Sequence, residues 1–422
     1  MRIFEEMESE VRGYVRSFPT VFDVAKGSEL FDENGTRYID FFAGAGVLNY
    51  GHNHPMVTKA LIEHLERDGI VHGLDKATIA KRAFLQKFRD TILAPRNLQY
   101  KVQFTGPTGT NAVETAMKLA RMVKQRSNII AFTNGYHGLT MGALAATGNY
   151  FYKDESYGSR SNTAFMPYDG FLGEDVDTID YLRKFLNDGS SGIDLPAAII
   201  VETVQGEGGI NVARIEWLKK LEQLCREFDI LLIIDDIQVG NGRTGTFFSF
   251  ERAGIHPDMV TLSKSIGGGL PMALLLMRPE LDQWQPGEHT GTFRGNNLAF
   301  VAATEALSFW DNDDLATAVV HKGKFIEQEL QKIADEFPQF NPKVRGLGMI
   351  WGLEMTPGVA SETSAEAFER GLIIETSGAD DQVLKFLPSL LIEEELLTEG
   401  LGIIRDSLQA LAQKRDDMMT GR

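Results

Sequence analysis

The stretch Met259-Val-Thr-Leu-Ser-Lys-Ser-Ile-Gly-Gly-Gly-Leu-Pro271 decides how this chain is read. Met259 to Leu262 form an apolar, β-branched run of the length expected for a buried strand, and the glycines at 267 to 269 let backbone pass close to whatever lies beside them. Lys264 stands between strand and turn. A lysine in that position loses solvent, drops its pKa and can attack a carbonyl, which is Schiff-base chemistry. The competing reading of the same residue is a solvated surface lysine.

Bounded apolar runs of the same kind recur at residues 101–104, 128–132, 197–201, 230–234 and 273–277, with helical patterns between them. Continuous Val/Ile/Leu runs separated by helices predict an α/β fold built on a mostly parallel sheet covered on both faces. Such sheets bind ligands beyond the carboxyl ends of their strands. Further upstream, a strand–turn–strand pattern around Asn34-Gly35 predicts a β-hairpin. After about residue 311 the pattern turns to long amphipathic helices with fewer strands, residues 343–354 reading as one, and the tail from 414 reads as frayed.

Three other strand ends carry chemistry. Phe104-Thr-Gly-Pro-Thr-Gly-Thr-Asn-Ala-Val-Glu114 reads as strand, glycine turn and helix, with Thr108 as cap; the N–H groups of Gly109 and Thr110 could cradle a phosphate, or the segment could be a plain connection. It lacks the Gly-Lys-Ser/Thr of a nucleotide P-loop. Ile233-Ile-Asp-Asp-Ile-Gln238 puts two carboxylates at the end of an apolar strand, where they need a cation: a protonated pyridine nitrogen, or a magnesium ion with further ligands. Ile199-Ile-Val-Glu-Thr-Val-Gln-Gly-Glu-Gly-Gly209 places Glu202 at a third such end and fails the dinucleotide fingerprint. A phosphate anchor, a buried carboxylate and a desolvated lysine together are what pyridoxal 5'-phosphate requires.

Composition narrows the classes. A chain of 422 residues, 43% hydrophobic, can bury a large core, and its formal charge of −17 argues against nucleic acid or an anionic membrane as partner. One cysteine, Cys225, within a helical pattern reads as core packing in a reducing compartment, and with no signal peptide or long apolar run the expected location is cytoplasmic. His52 and His54 lack a second ligand pair at zinc spacing, so no metal is expected there.

The motifs at 106–114, Tyr136-His-Gly138, Glu202 with Gln205-Gly-Glu-Gly-Gly209, Asp235-Asp-Ile-Gln238, Ser263-Lys-Ser265 and Thr292-Phe-Arg-Gly-Asn296 resemble, in order, those of the class-III aminotransferases of fold type I. The resemblance implies a large domain with a mostly parallel seven-stranded sheet (56–310) and a smaller α+β domain drawn from both termini (1–55 and 311–422). It implies pyridoxal 5'-phosphate bound by Lys264, with Asp235 at the ring nitrogen, Gln238 near the ring hydroxyl and Tyr136 stacked on the ring. His137 and Glu202 would lie beside them. Gly109 and Thr110 would hold the phosphate together with Thr292 from the other subunit of a homodimer, or of a tetramer built from dimers.

Segments 10–22, 42–55, 72–75 and 165–170 further resemble family members that move the amino group of glutamate to aspartate β-semialdehyde, giving 2,4-diaminobutyrate and 2-oxoglutarate, the opening step of ectoine synthesis. Enzymes for 4-aminobutyrate, ornithine or polyamines, and an aminomutase on the same scaffold, are the alternatives. Two positions depart from the family pattern: Leu139 stands where many members have a substrate-binding arginine, and Lys385 where they have a second one. The resemblance would pair Glu202 with that second arginine, which makes Glu202 and Lys385 the candidate substrate-binding pair.

Overall fold

The computed structural model describes residues 1–157 and 161–420. Two short surface helices, Arg2–Met7 and Tyr14–Ser17, lead into three antiparallel strands, β1 (Phe22–Lys26), β2 (Glu29–Asp32) and β3 (Arg37–Asp40). The β2–β3 hairpin turns where the Asn34-Gly35 pair predicts: Gly35 takes φ +83°, and Asp32 accepts the N–H groups of Asn34 and Thr36. The edge strand β1 was not legible, because none of its residues is buried and it shows no apolar run.

The central sheet uses β4 (Lys101–Phe104), β5 (Ile129–Phe132), β6 (Thr163–Met166), β7 (Ala198–Val201), β10 (Leu231–Asp235), β11 (Met259–Leu262) and β12 (Leu274–Met277), in the order β4-β12-β11-β10-β7-β5-β6. A separate two-stranded hairpin, β8 (Val204–Gln205) with β9 (Asn211–Val212), interrupts the series. Only β12 runs against its neighbours. Alternate side chains of the five inner strands enter two different cores: Ile199, Leu232, Ile234 and Val260 one, Ala198, Ile200, Leu231, Ile233 and Met259 the other. Burial on both faces is why these strands read as unbroken apolar runs. The strand β6, unpredicted, is one edge of the sheet and leaves Phe165 exposed.

Residues 343–354 form two strands instead of the single one expected: β13 (Lys343–Leu347) and β14 (Ile350–Glu354) turn at Gly348, whose φ of +58° and close approach to the Arg243 carbonyl admit no side chain. With β16 (Glu375–Ser377) and β17 (Val383–Phe386) they make a four-stranded sheet. The two-residue strand β15 (Leu372–Ile373) instead pairs with β3, so the first and last parts of the chain share a sheet. The final helix, Glu394–Thr420, continues through the tail expected to fray, and residues 421 and 422 lie outside the described residues. Among the described residues no helix is long and apolar enough to cross a membrane.

One buried cation ties these parts together. Arg243, fully buried, donates to Asn49 Oδ1 and to the carbonyls of Met349 and Pro388, with no carboxylate partner among the described residues. Burial alone pushes its pKa down to about 9. Arg243→Met would strand these acceptors in a dry interior, at about 1–3 kcal/mol for each. A fall in the urea unfolding midpoint equivalent to about 3 kcal/mol or more is expected, and an unchanged midpoint would show that water replaces the guanidinium.

Candidate functional site

Lys264 stands one residue beyond β11, after Ser263, at the head of a tight turn over Lys264–Gly267, and adopts φ +52°, a left-handed backbone that a non-glycine residue holds only under constraint. Its Nζ donates to the Ala45 carbonyl at 2.8 Å. That carbonyl is presented by the loop Ala43–Gly46, in which all four residues take positive φ. Burial lowers the Lys264 pKa, against the opposing pull of Glu207.

Asp235 ends the neighbouring strand β10, in register with Thr261, whose hydroxyl donates to Oδ1 at 3.1 Å. Its Oδ2 accepts from His137 Nδ1 at 2.7 Å, both residues being buried. Burial alone would lower the imidazole pKa; the Asp235 carboxylate outweighs it, and the net shift of His137 is upward. Asp236, one residue on, projects to the opposite face and accepts from the Ser249 N–H at 3.0 Å. The two acids therefore do not converge on one ion, and among the described residues no group of three or more His, Cys, Asp or Glu could hold a metal. His52 instead bonds Asp40 Oδ2 at 2.8 Å.

Gln238 donates from Nε2 to the Ala45 carbonyl at 3.1 Å and to Glu207 Oε1 at 2.9 Å, while its Oε1 is buried with no hydrogen-bond partner. Such an orphaned buried acceptor fits a ligand that brings a hydroxyl. Thr108 caps the helix Gly109–Lys124, so the N–H groups of Gly109 and Thr110 head it with no upstream carbonyl to bond. The Thr110 hydroxyl lies 2.5 Å from that of Thr140, and a side chain at Gly138 would come within 2.4 Å of it. Tyr136 lines the adjoining cavity, packed edge-on to Tyr152. Thr292 is exposed, and its carbonyl accepts from His72 Nε2 at 2.8 Å.

The expected pairing of Glu202 with Lys385 is not the one that forms. Glu202 Oε1 accepts the Tyr136 N–H at 2.9 Å, and burial raises its pKa to about 7. Lys385 Nζ lies instead 2.7 Å from Glu207 Oε1 and 2.9 Å from Glu375 Oε1. Burial would raise the Glu207 carboxyl, but Lys385 and Lys264 overcome it and hold it at about 2. The physical reason is position: Glu202 ends β7 beside His137 and Asp235, whereas Glu207 sits on the β8–β9 loop that overhangs β17. Glu207 was in view in the sequence only as part of a glycine-rich loop. Glu375 was missed altogether, since it meets Lys385 across the β16–β17 ladder, a register the apolar pattern does not reveal.

A cavity of about 1340 Å³ opens against Tyr136, Tyr152, Glu207 and Glu375. A family model described as Aminotransferase class-III matches residues 12–408. The chain is 63% identical to the diaminobutyrate–2-oxoglutarate transaminase of Wolinella succinogenes over 99% of its length and 98% of the relative's. It is 56% identical to the enzyme of the same name from Halalkalibacterium halodurans over 99% of both chains. Among solved structures it resembles an ornithine aminotransferase from Toxoplasma gondii, with TM-score 0.85, 27% identity and coverage of 98% of this chain and 95% of that one.

Asp236 offers a test of the buried electrostatics away from the cavity. Burial raises its carboxyl to about 7, above the ordinary carboxylate value that the unfolded chain keeps. A folded pKa raised in this way contributes stability that is fully present below the unfolded pKa and is lost as pH rises through about 7. Asp236→Asn removes that loss. Its unfolding midpoint, measured from pH 4 to 9, is expected to gain on the parent up to about pH 7 and to run parallel above it; parallel curves throughout would contradict the assignment.

Proposed function

The chain belongs to the class-III aminotransferases, and from that membership we propose that it is a pyridoxal-phosphate transaminase passing the amino group of L-glutamate to L-aspartate β-semialdehyde, with 2,4-diaminobutyrate and 2-oxoglutarate as products. The observation that carries the substrate reading is identity of 53–63% over nearly the whole chain to transaminases of that name. Ornithine-type enzymes share the fold at 27% or below in the structures compared.

The coenzyme is pyridoxal 5'-phosphate, and the residues present fit it: a buried orphan oxygen on Gln238, a side-chain-free approach at Gly138, open N–H groups at Gly109 and Thr110, and an amine at Lys264. When bound it supplies an aldehyde that condenses with amines and a protonated ring that draws electrons from the adjacent carbon. Asp235, oriented by His137 and Thr261, would hold the proton on the ring nitrogen. Gln238 would meet the ring hydroxyl, Tyr136 the ring face, and Gly109 with Thr110 the phosphate. Glu202 fixes the backbone of Tyr136 and so the height of that ring.

Lys264 is the general base and acid. Its Nζ would hold the coenzyme aldehyde and, when free, would take up and give back the substrate's proton. Its lowered pKa raises the fraction of free amine available for that transfer. Lys385 would receive a carboxylate of glutamate once Glu207 swings aside; as a point charge, lysine takes one oxygen where arginine's fork takes two. The two half-reactions run in turn on one site, so initial rates should follow a ping-pong pattern.

A homodimer, with Thr292 of the partner subunit completing the phosphate site, is supported by the apolar surface around that turn. Phe293 is 66% exposed, and Ile70 and Val71, on the strap that hydrogen-bonds the same turn, are 56% and 47% exposed.

A panel of amino donors against 2-oxoglutarate tests the reaction. 2,4-Diaminobutyrate is expected to exceed 4-aminobutyrate and putrescine, which each lack one of its charged groups, and ornithine, longer by one methylene, in kcat/KM by about tenfold or more. A preference for any of the other three would overturn the substrate assignment while leaving the family standing.

A further inference from the structure

Glu375 is the buried acid of this site that none of the steps above employs. It faces Lys385 across β16 and β17, and Glu207 closes on the same lysine from above, so that two carboxylates surround one ammonium. Lys385 is fully buried, whereas Glu207 and Glu375 both line the large cavity. What the cavity meets at this wall is therefore acid. Asp380 and Asp381 add two more carboxylates, and Lys153 is the sole ammonium among the described lining residues.

Glu375 itself is only 7% exposed. Its Oε2 accepts from the Tyr14 hydroxyl at 3.1 Å, and its Oε1 is ion-paired at 2.9 Å with Lys385 Nζ, the same ammonium that Glu207 engages at 2.7 Å. Burial, with the neighbouring Glu207 carboxylate, raises the pKa of Glu375 even though Lys385 opposes it. Lys264 lies within electrostatic reach. An ammonium carried on the far end of a short substrate would give a second cation to two carboxylates that now share one.

The two substrates differ in that group. Glutamate spends its one amine at the reaction centre and offers only carboxylates beyond it, whereas 2,4-diaminobutyrate reacts through its 4-amine and keeps an α-ammonium. Resting on the reaction assigned above, we propose that Glu375, steadied by Tyr14, receives the α-ammonium of the four-carbon substrate and so selects ω-amines that carry one over those that do not.

The test follows the coenzyme absorbance of the holoenzyme in single half-reactions with 2,4-diaminobutyrate, 4-aminobutyrate and glutamate, separating apparent dissociation constant from limiting rate. Glu375→Gln is expected to weaken diaminobutyrate binding about tenfold or more, the effect of losing a charged hydrogen bond. Binding of 4-aminobutyrate should hold or tighten, and glutamate should stay within about threefold. Tyr14→Phe should show a smaller loss of the same selectivity, which keeps the test open if the first variant does not fold. Equal weakening of all three donors would mean that Glu375 only props Lys385, and unchanged diaminobutyrate binding would mean that the ammonium lies elsewhere; either overturns the proposal. A parent enzyme that accepts glutamate but not diaminobutyrate would sink the reaction assigned above, a failure visible before any variant is made.

Discussion

Keeping an amine out of water at the end of β11 is the constraint on which the site depends. An ammonium in a dry interior is expensive unless something takes up its charge or it gives up its proton. Here Lys264 is held by one carbonyl, that of Ala45, and by the field of Glu207. Both supports are themselves strained or shared. The loop bearing Ala45 runs through four consecutive positive-φ residues, two of them alanines, and Glu207 divides its Oε1 between Lys385 and Gln238. Local backbone strain of this kind persists only where surrounding packing over-determines it.

The strand layout makes that arrangement possible. β10 and β11 are parallel neighbours, so Asp235 and Lys264 arrive at the same carboxyl end of the sheet, and the adjacent β7 brings Glu202 to that end too. Period-two alternation then sorts the acids: Asp235 faces His137, while Asp236 turns to the Ser249 backbone on the other face. The C-terminal sheet adds a second layer of charge, Lys385 with Glu375 and Glu207, against the cavity. On the proposed function, the first layer would hold a ring and a phosphate, and the second the two ends of an amino acid.

How much of this could be read in the sequence follows from the same physics. The strands buried on both faces announced themselves as apolar runs, and each observed strand among those expected begins within one residue of its run. Of the edge strands, β4 was read from Val102 and Phe104, whereas β1 and β6 were missed because so exposed a strand carries no unbroken apolar run. The residues at strand ends, Lys264, Asp235, Gln238 and Glu202, were legible as polar groups where apolar sequence breaks off. Glu375 and Tyr14 were not, being brought to the site by tertiary packing across 361 residues. The mistaken pairing of Glu202 with Lys385 has the same origin: two glutamates five residues apart look equivalent in sequence, and only the β8–β9 loop, carrying Glu207 over β17, decides between them.

The most direct measurement on the central claim is chemical. Protein loaded with pyridoxal 5'-phosphate, reduced with borohydride and digested, should carry the coenzyme on the peptide that contains Lys264, at about one per chain. Label on another lysine such as Lys385, or none on Lys264, would contradict the account at its root.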